Sequence, residues 1–321
     1  MGFIKTVFAL LVLALIAFVG AAGYAFYYYE GDGPLAQEKT VLFQRGEHFQ
    51  AITFDMMGAG VIDHPELFEA IAFITGDYRK FKAGEYHFTA AMSPHQVMDM
   101  LAHGHVVIHK LTIPEGLTVQ QVVALLTNEK ALDGPVAADI HEGSLLPETY
   151  HFTYGDKRQE LLDRMQADMT LQISKLWEHR KEGLPFKTPA EALVMASIVE
   201  KETGIDSERG HIASVFINRL HKGMRLQSDP TVAYGLHKPG EKLTLDDLRA
   251  PTPYNTYVID GLPPGPISNP GRAAIAAVLN PPDTKDLYFV ATGSGGHNFA
   301  ATLEEHNANV KAYRNKQHEA Q

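Results

Sequence analysis

AEALVMASIVEKET, Ala190–Thr203, follows Thr188-Pro189, a pair that starts helices. Stepping 100° per residue with Met195 at zero places Ile198 at about −60°, Val199 at about +40° and Ala192 at about +60°. These residues form an apolar stripe, and Glu202 continues it at about −20°. Glu200 lies at about +140°, nearer to Ser197 at about −160°. The stripe predicts a helix packed on a core, with Glu202 on the buried side and Glu200 and Lys201 meeting solvent.

Helices also flank this one. Arg158 to Lys181 reads as a long amphipathic helix. Ser207 can cap ERGHIASVFINRLHKG (Glu208–Gly223), which ends at glycine as helices tend to. The stretch PTPYNTYVIDGLPPGPISNPG (Pro251–Gly271) holds six prolines and three glycines, so it cannot be regular helix. It is too long for an ordinary connector, and ordered loops of this size usually serve a site. LYFVAT (Leu287–Thr292) reads as a buried strand, followed by a Gly-rich turn and a last helix.

Upstream, residues 40–142 alternate short strands and helices. The strands are expected at Val41–Gly46, Phe81–Phe88 and Val106–Ile113, and the helices at Pro65–Ile74, from Ser93-Pro94 to Ala102, and Val119–Leu126. Small α+β modules of this kind bind polymers or act as spacers, and both readings stay open. The fold class expected for the chain is α+β. Its expected spans are 1–6 cytoplasmic, 7–26 transmembrane, 40–142 membrane-proximal and a second, larger domain over 145–321.

The 7–26 span rests on VFALLVLALIAFVGAAGYAF, which carries no charge and is long enough to cross a ~30 Å hydrocarbon core. Lys5 precedes it, and Tyr27, Tyr28 and Tyr29 follow it. A basic flank favours the inner side and aromatics favour the interface. The bulk of the chain is therefore expected outside the cytoplasmic membrane. A cleaved signal peptide ending near Ala21-Ala22-Gly23 is the competing reading.

Composition narrows the chemistry. Lys and Arg number 28 against 38 Asp and Glu, a net charge of −10 without a basic run, so a non-specific nucleic-acid binder is excluded. Cysteine is absent, which removes disulfides, thiol catalysis and Cys-ligated metals. The chain has 16 histidines, and His103, His105 and His109 cluster, but without a His-Glu-x-x-His spacing. No metal and no cofactor is expected.

Glu202 is the candidate with chemistry. A carboxyl group in an apolar setting is hard to ionise, and a raised pKa is what a general acid needs near neutrality. The structural alternative is a glutamate that caps the helix end or pairs with Arg209 or Arg219. Gln227, Asp229, Tyr254, Asn255, Tyr257, Asn269 and His297 are polar or aromatic residues in predicted loops. Sugar clefts use such groups, with amides for hydroxyls and aromatic faces for ring C–H patches. Each alone is also a common turn former.

Together these segments resemble the endolytic murein transglycosylase family, the MltG/YceG-like proteins. The residues that carry the likeness are Leu146-Pro147-Glu148-Thr149-Tyr150, ASIVEKET (Ala196–Thr203), ASVFINRL and GMRLQSDPTVAYG within Ala213–Gly235, PYNTY (Pro253–Tyr257), GLPPGPISNPG (Gly261–Gly271) and LYFVATGSGGHNFAATLEEHN (Leu287–Asn307). The resemblance implies a single-pass inner-membrane protein with a LysM-like membrane-proximal region and a periplasmic catalytic domain. It implies cleavage of nascent peptidoglycan strands to 1,6-anhydro ends, with peptidoglycan synthases as partners. It places the catalytic glutamate in the EKET motif, at Glu202 with Glu200 as fallback. Gln227, Asp229, Asn255, Tyr257, Asn269 and His297 become its expected substrate shell. Asp229 and Glu148 leave a hydrolase open, and a non-enzymatic glycan-binding anchor is the remaining alternative.

Overall fold

A 29-residue helix, α1 (Gly2–Glu30), opens the computed structural model, which describes residues 2–136 and 139–319. Residue 1 of the 1–6 span, residues 137–138 of 40–142 and residues 320–321 of 145–321 therefore lie outside the described residues. None of the side chains of α1 is buried, and the helix is long and apolar enough to cross a membrane. Its last turn is packed on protein. Tyr28 Oη donates to the His64 carbonyl at 3.3 Å, and the Tyr29 ring stacks on His95 with centroids 4.8 Å apart.

By packing, the chain divides into two units. The first is Met1–His109 with His151–Gly155; the second is Lys110–Tyr150 with Asp156–Gln321. The 40–142 span is thus a grouping by sequence pattern, whereas the packing boundary falls within a strand.

In the first unit, β1 (Lys39–Phe43) is followed by α2 (Phe49–Ala59), α3 (Pro65–Thr75), β2 (Gly84–Phe88) and α4 (Pro94–His103). β1 and β2 pair antiparallel, from Lys39 opposite Phe88 to Phe43 opposite Gly84. Alternation along β2 turns Gly84, Tyr86 and Phe88 inward. There they meet Phe43, Met56, Phe68 and Leu101 in an aromatic-rich core. Ser93 starts α4 as its sequence predicts, and it closes a capping box with Gln96. α2 carries no such signal, and its buried residues are only Ile52, Thr53 and Met56.

The chain continues through β3 (His109–Thr112), α5 (Val119–Asn128), β4 (Leu132–Asp133), β5 (Thr149–Phe152) and β6 (Asp156–Lys157). The strand expected from Val106 begins only at His109. Thr118 and Gln121 form a second capping box on α5. β3 pairs with β5 and β4 with β6, and every sheet among the described residues is two-stranded.

Helices make the core of the second unit: α6 (Arg158–Glu178), α7 (Pro189–Glu202), α8 (Asp206–His221), α9 (Asp229–Gly235) and α10 (Arg272–Leu279). α6 stops at Glu178, short of Lys181, and His179 serves as its C-cap. α7 packs against α6, α8, α9 and α10. Being surrounded, it buries Ala192 and every residue from Val194 to Val199, Ser197 included. The hairpin β7 (Tyr288–Ala291) and β8 (His297–Ala300) and then α11 (Leu303–Glu319) end the described chain. The architecture is mixed α and β, as its sequence predicts, with helices dominating the second unit.

Candidate active site

Glu202 is the last residue of α7, and it opens onto a cleft of about 450 Å³. Arg219, Gln227, Asp229, Tyr257, Tyr288, Phe289, Leu303 and His306 line the rest of that cleft. Ser228, itself buried, donates its Oγ–H to Glu202 Oε1 at 2.5 Å. Burial pushes the Glu202 carboxyl up to about 7. The Ser228 hydrogen bond opposes this, Asp229 adds to it, and His297 and Arg219 pull the other way. The group therefore exchanges its proton near neutrality, as a general acid and base must.

The loop after α8 builds one wall. Gln227 has φ +51°, a left-handed conformation uncommon for a residue with a side chain. Its N–H donates to the Thr256 carbonyl at 3.1 Å, and the Ser228 N–H donates to Thr256 Oγ1 at 2.9 Å. Thr256 and Thr231 are buried beside each other and share a hydrogen bond, so this turn has internal partners. Asp229 starts α9 and accepts a hydrogen bond from Tyr257 Oη at 2.7 Å. The Pro-rich loop thus contributes Tyr257 to the cleft.

β7 and α11 supply the other lining groups. Tyr288 stacks on His306 with centroids 5.1 Å apart, and the Arg219 guanidinium lies 5.5 Å from the centre of the Tyr288 ring. Burial, with the Arg219 charge near, holds the His306 imidazole below its usual range. The cleft offers aromatic faces, a cation, an amide and a proton donor, a set suited to a sugar ring and its oxygens.

The expected residues separate into two sets. Glu202, Gln227, Asp229 and Tyr257 converge on the cleft. His297 stands behind them, its N–H and Nδ1 held by Glu208 at 2.9 and 2.8 Å. Asn255 and Asn269 do not line the cleft. Asn255 is buried, with Nδ2 directed to the carbonyls of Leu248 and Ala250. Asn269 is buried too; it donates to the Leu117 carbonyl at 2.9 Å and accepts from the Leu145 N–H at 2.9 Å. Both satisfy loop backbone that has no ladder partner.

Glu200 departs from the helical-wheel expectation. Its side chain is 6% exposed, not solvated. Oε2 accepts from the Gly271 N–H at 2.9 Å, and Oε1 lies 3.7 Å from the buried Arg209 guanidinium. A Cβ on Gly271 would fall 1.7 Å from Glu115 Oε1, so any larger residue there would displace the Glu115 side chain. The wheel assumed one buried face, whereas α7 is packed on all sides. Arg209, whose Nη1 donates to Asp206, therefore stands beside Glu200, and Arg219 stands near Glu202.

Sequence reasoning passed over Ser228, Tyr288, Phe289, Leu303 and His306. Ser228 reads as a turn residue before Asp229-Pro230, and Tyr288 as strand filler. His306 is one of 16 histidines, with no local pattern to single it out.

Comparison with known proteins adds relatives. The YceG-like family profile matches residues 41–312. An endolytic murein transglycosylase of Bacillus subtilis is 33% identical, over 73% of this chain and 73% of its own. One from Streptococcus pneumoniae is 30% identical over 96% of this chain, which spans 65% of that longer relative. The crystal structure of a yceG-like protein from Listeria monocytogenes superposes with a TM-score of 0.53 at 33% identity, covering 85% of this chain and 99% of that one.

Proposed function

This chain belongs to the YceG-like family, and from that premise we propose that it is a lytic transglycosylase that cuts peptidoglycan strands internally. The observation that carries the reading is Glu202, a carboxyl group whose proton is held to about pH 7 at the base of a cleft lined with aromatic and amide groups. Protonated Glu202 donates to the glycosidic oxygen joining N-acetylmuramic acid to N-acetylglucosamine. The C1–O bond breaks, and positive charge develops at C1 of the muramoyl sugar. The Glu202 carboxylate then takes the proton of that sugar's C6 hydroxyl as its oxygen bonds to C1. The product is a 1,6-anhydro end, and Glu202 is again protonated. Because the nucleophile belongs to the substrate, one carboxyl group suffices.

Tyr288 and Phe289 offer faces to the ring, and Gln227 offers an amide to its hydroxyl or acetamido groups. Asp229, fixed by Tyr257, supports a second reading. It supplies a second carboxylate on the same cleft, which hydrolysis with water would use. In our reading α1 is an uncleaved anchor, the catalytic domain lies outside the cytoplasmic membrane, and the 40–142 segment is a LysM-like glycan-binding region. Nascent strands leave membrane-bound synthases, which makes a synthase the expected partner.

The test is mass spectrometry of muropeptides after incubating purified full-length chain with glycan strands. Anhydro ends are expected. Reducing ends would mean a hydrolase, and strands bound but uncut would mean a binding protein.

A further inference from the structure

Arg219 is buried on the last turn of α8, yet its guanidinium reaches the cleft beside Glu202. Two of its nitrogens are committed to backbone. Nε donates to the Leu287 carbonyl at 2.6 Å, and Nη1 donates to the Leu226 carbonyl at 2.5 Å. Each carbonyl immediately precedes a lining segment. After Leu226 come Gln227, Ser228 and Asp229; after Leu287 come Tyr288 and Phe289. One planar side chain thus ties both walls of the cleft to the same helix, and it does so where Gln227 holds an unfavourable φ of +51°. Lysine could not make this pair of bonds, because its ammonium lacks the fixed fork of donors.

We propose that Arg219 is a positioning residue for the Glu202 chemistry, setting the two walls of the cleft and holding a fixed cation near the carboxylate that forms when Glu202 gives up its proton. This rests on reading Glu202 as the proton donor. The cation acts in both halves of the cycle. It favours release of the proton to the glycosidic oxygen and opposes its return, so it sets the balance between Glu202 as acid and its carboxylate as base. It is not alone there. Ser228 and Asp229 approach Glu202 from the loop and α9, Tyr257 from the Pro-rich loop, His297 from β8, and His306 faces the cleft from α11. Arg219 is the cation among these that requires no protonation near neutral pH.

The test compares Arg219→Met and Arg219→Lys in the full-length chain, reading glycan cleavage against pH together with the melting temperature. Arg219→Met removes the charge and both carbonyl bonds. It should lower kcat at least about tenfold and move the alkaline limb of the profile to higher pH, because the carboxylate loses its cation. Arg219→Lys keeps the charge and loses the fork. It should leave the limb near its wild-type position while kcat still falls. A merely structural role would lower the melting temperature in both and move neither limb, which would overturn the proposal. If Arg219→Met does not fold, Arg219→Lys decides alone: a reduced kcat on an unmoved limb with the melting temperature unchanged supports the proposal, and a wild-type kcat, a displaced limb, or a loss of kcat that comes with a lowered melting temperature sinks it. Glu202→Gln, run alongside, separates the two readings. If that variant still cuts, the assignment of Glu202 has failed, whatever Arg219 does.

Discussion

The two units solve the same problem with different materials. The core of the first is aromatic and aliphatic, with Phe43, Phe68, Tyr86 and Phe88 at its centre and, among the described residues, only Thr53 and Ser93 as buried polar side chains. The second buries Ser197, Arg209, Arg219, Ser228, Thr231, Asn255, Thr256, Ser268 and Asn269 among its hydrophobic residues. The reason is backbone. A long stretch of the second unit has neither helix nor ladder, and buried carbonyls and N–H groups there need side-chain partners. Ser197 shows the link, accepting from the Ile267 N–H at 3.0 Å from within a helix. The lesson is that buried polar groups mark where irregular chain has been made rigid, and that rigidity is what places Glu202, Gln227 and Tyr257 around one cleft.

The sharpest way to break this contrast is Glu202→Gln. It keeps the size of the side chain but cannot cycle a proton, so cleavage should fall by at least about a hundredfold. Its stability should depend on pH in a signed way. The folded state raises the Glu202 pKa from 4.5 to about 7, so the contribution of this proton is full below the unfolded value and is lost as pH rises through about 7. The variant should therefore melt higher than wild type at pH 8 and show little difference at pH 4. Glu200→Gln keeps an oxygen for Gly271 and should cost far less in rate. Unfolding and cleavage measured on both variants decide whether the two glutamates differ as described.

A pure core defect comes next. Phe68→Ala in the first unit should cost about 3–5 kcal/mol of stability there, because a fully buried ring is removed. Hydrogen exchange should show the loss in α3 and β2, while the pH profile of cleavage keeps its shape. A displaced pH limb would contradict the contrast. Asn269→Ala in the second unit should cost about 1–3 kcal/mol by leaving loop backbone unpaired. Its signature is faster exchange at Leu145, whose N–H bonds Asn269 Oδ1. The smallest expected effect is Ser228→Ala. Losing its hydrogen bond disfavours the carboxylate, so the alkaline limb should rise above its wild-type position, as a pH–rate series will show.

Sequence made some of this legible. Ser93 announced its helix because capping is local chemistry, written within four residues. Glu202 was readable because it continues an apolar stripe. Glu200 was not, since nothing in Ala190–Thr203 says that α10 will cover the other face. α10 itself escaped notice. RAAIAAVL is short and follows Pro270-Gly271, and its burial comes from distant partners. Asn255 and Asn269 looked like sugar ligands because an amide reads the same whether it faces a hydroxyl or a carbonyl. Only the fold distinguishes the two. Tyr288 and His306 meet across the sequence between β7 and α11, a pairing that no local pattern encodes.

Helix α1 has one further consequence. At 29 residues α1 is about 43 Å long, well beyond a ~30 Å hydrocarbon layer. Its last turn is held directly against the first folded unit by His64 and His95. On the reading proposed here, that unit rides the bilayer as a fixed mast and not as a float on a line. Rotation about the membrane normal remains, but tilting is coupled to tilting the helix itself. Height above the lipid becomes a built-in dimension, and inserting a flexible spacer after Glu30 would abolish it without touching a single residue of the cleft.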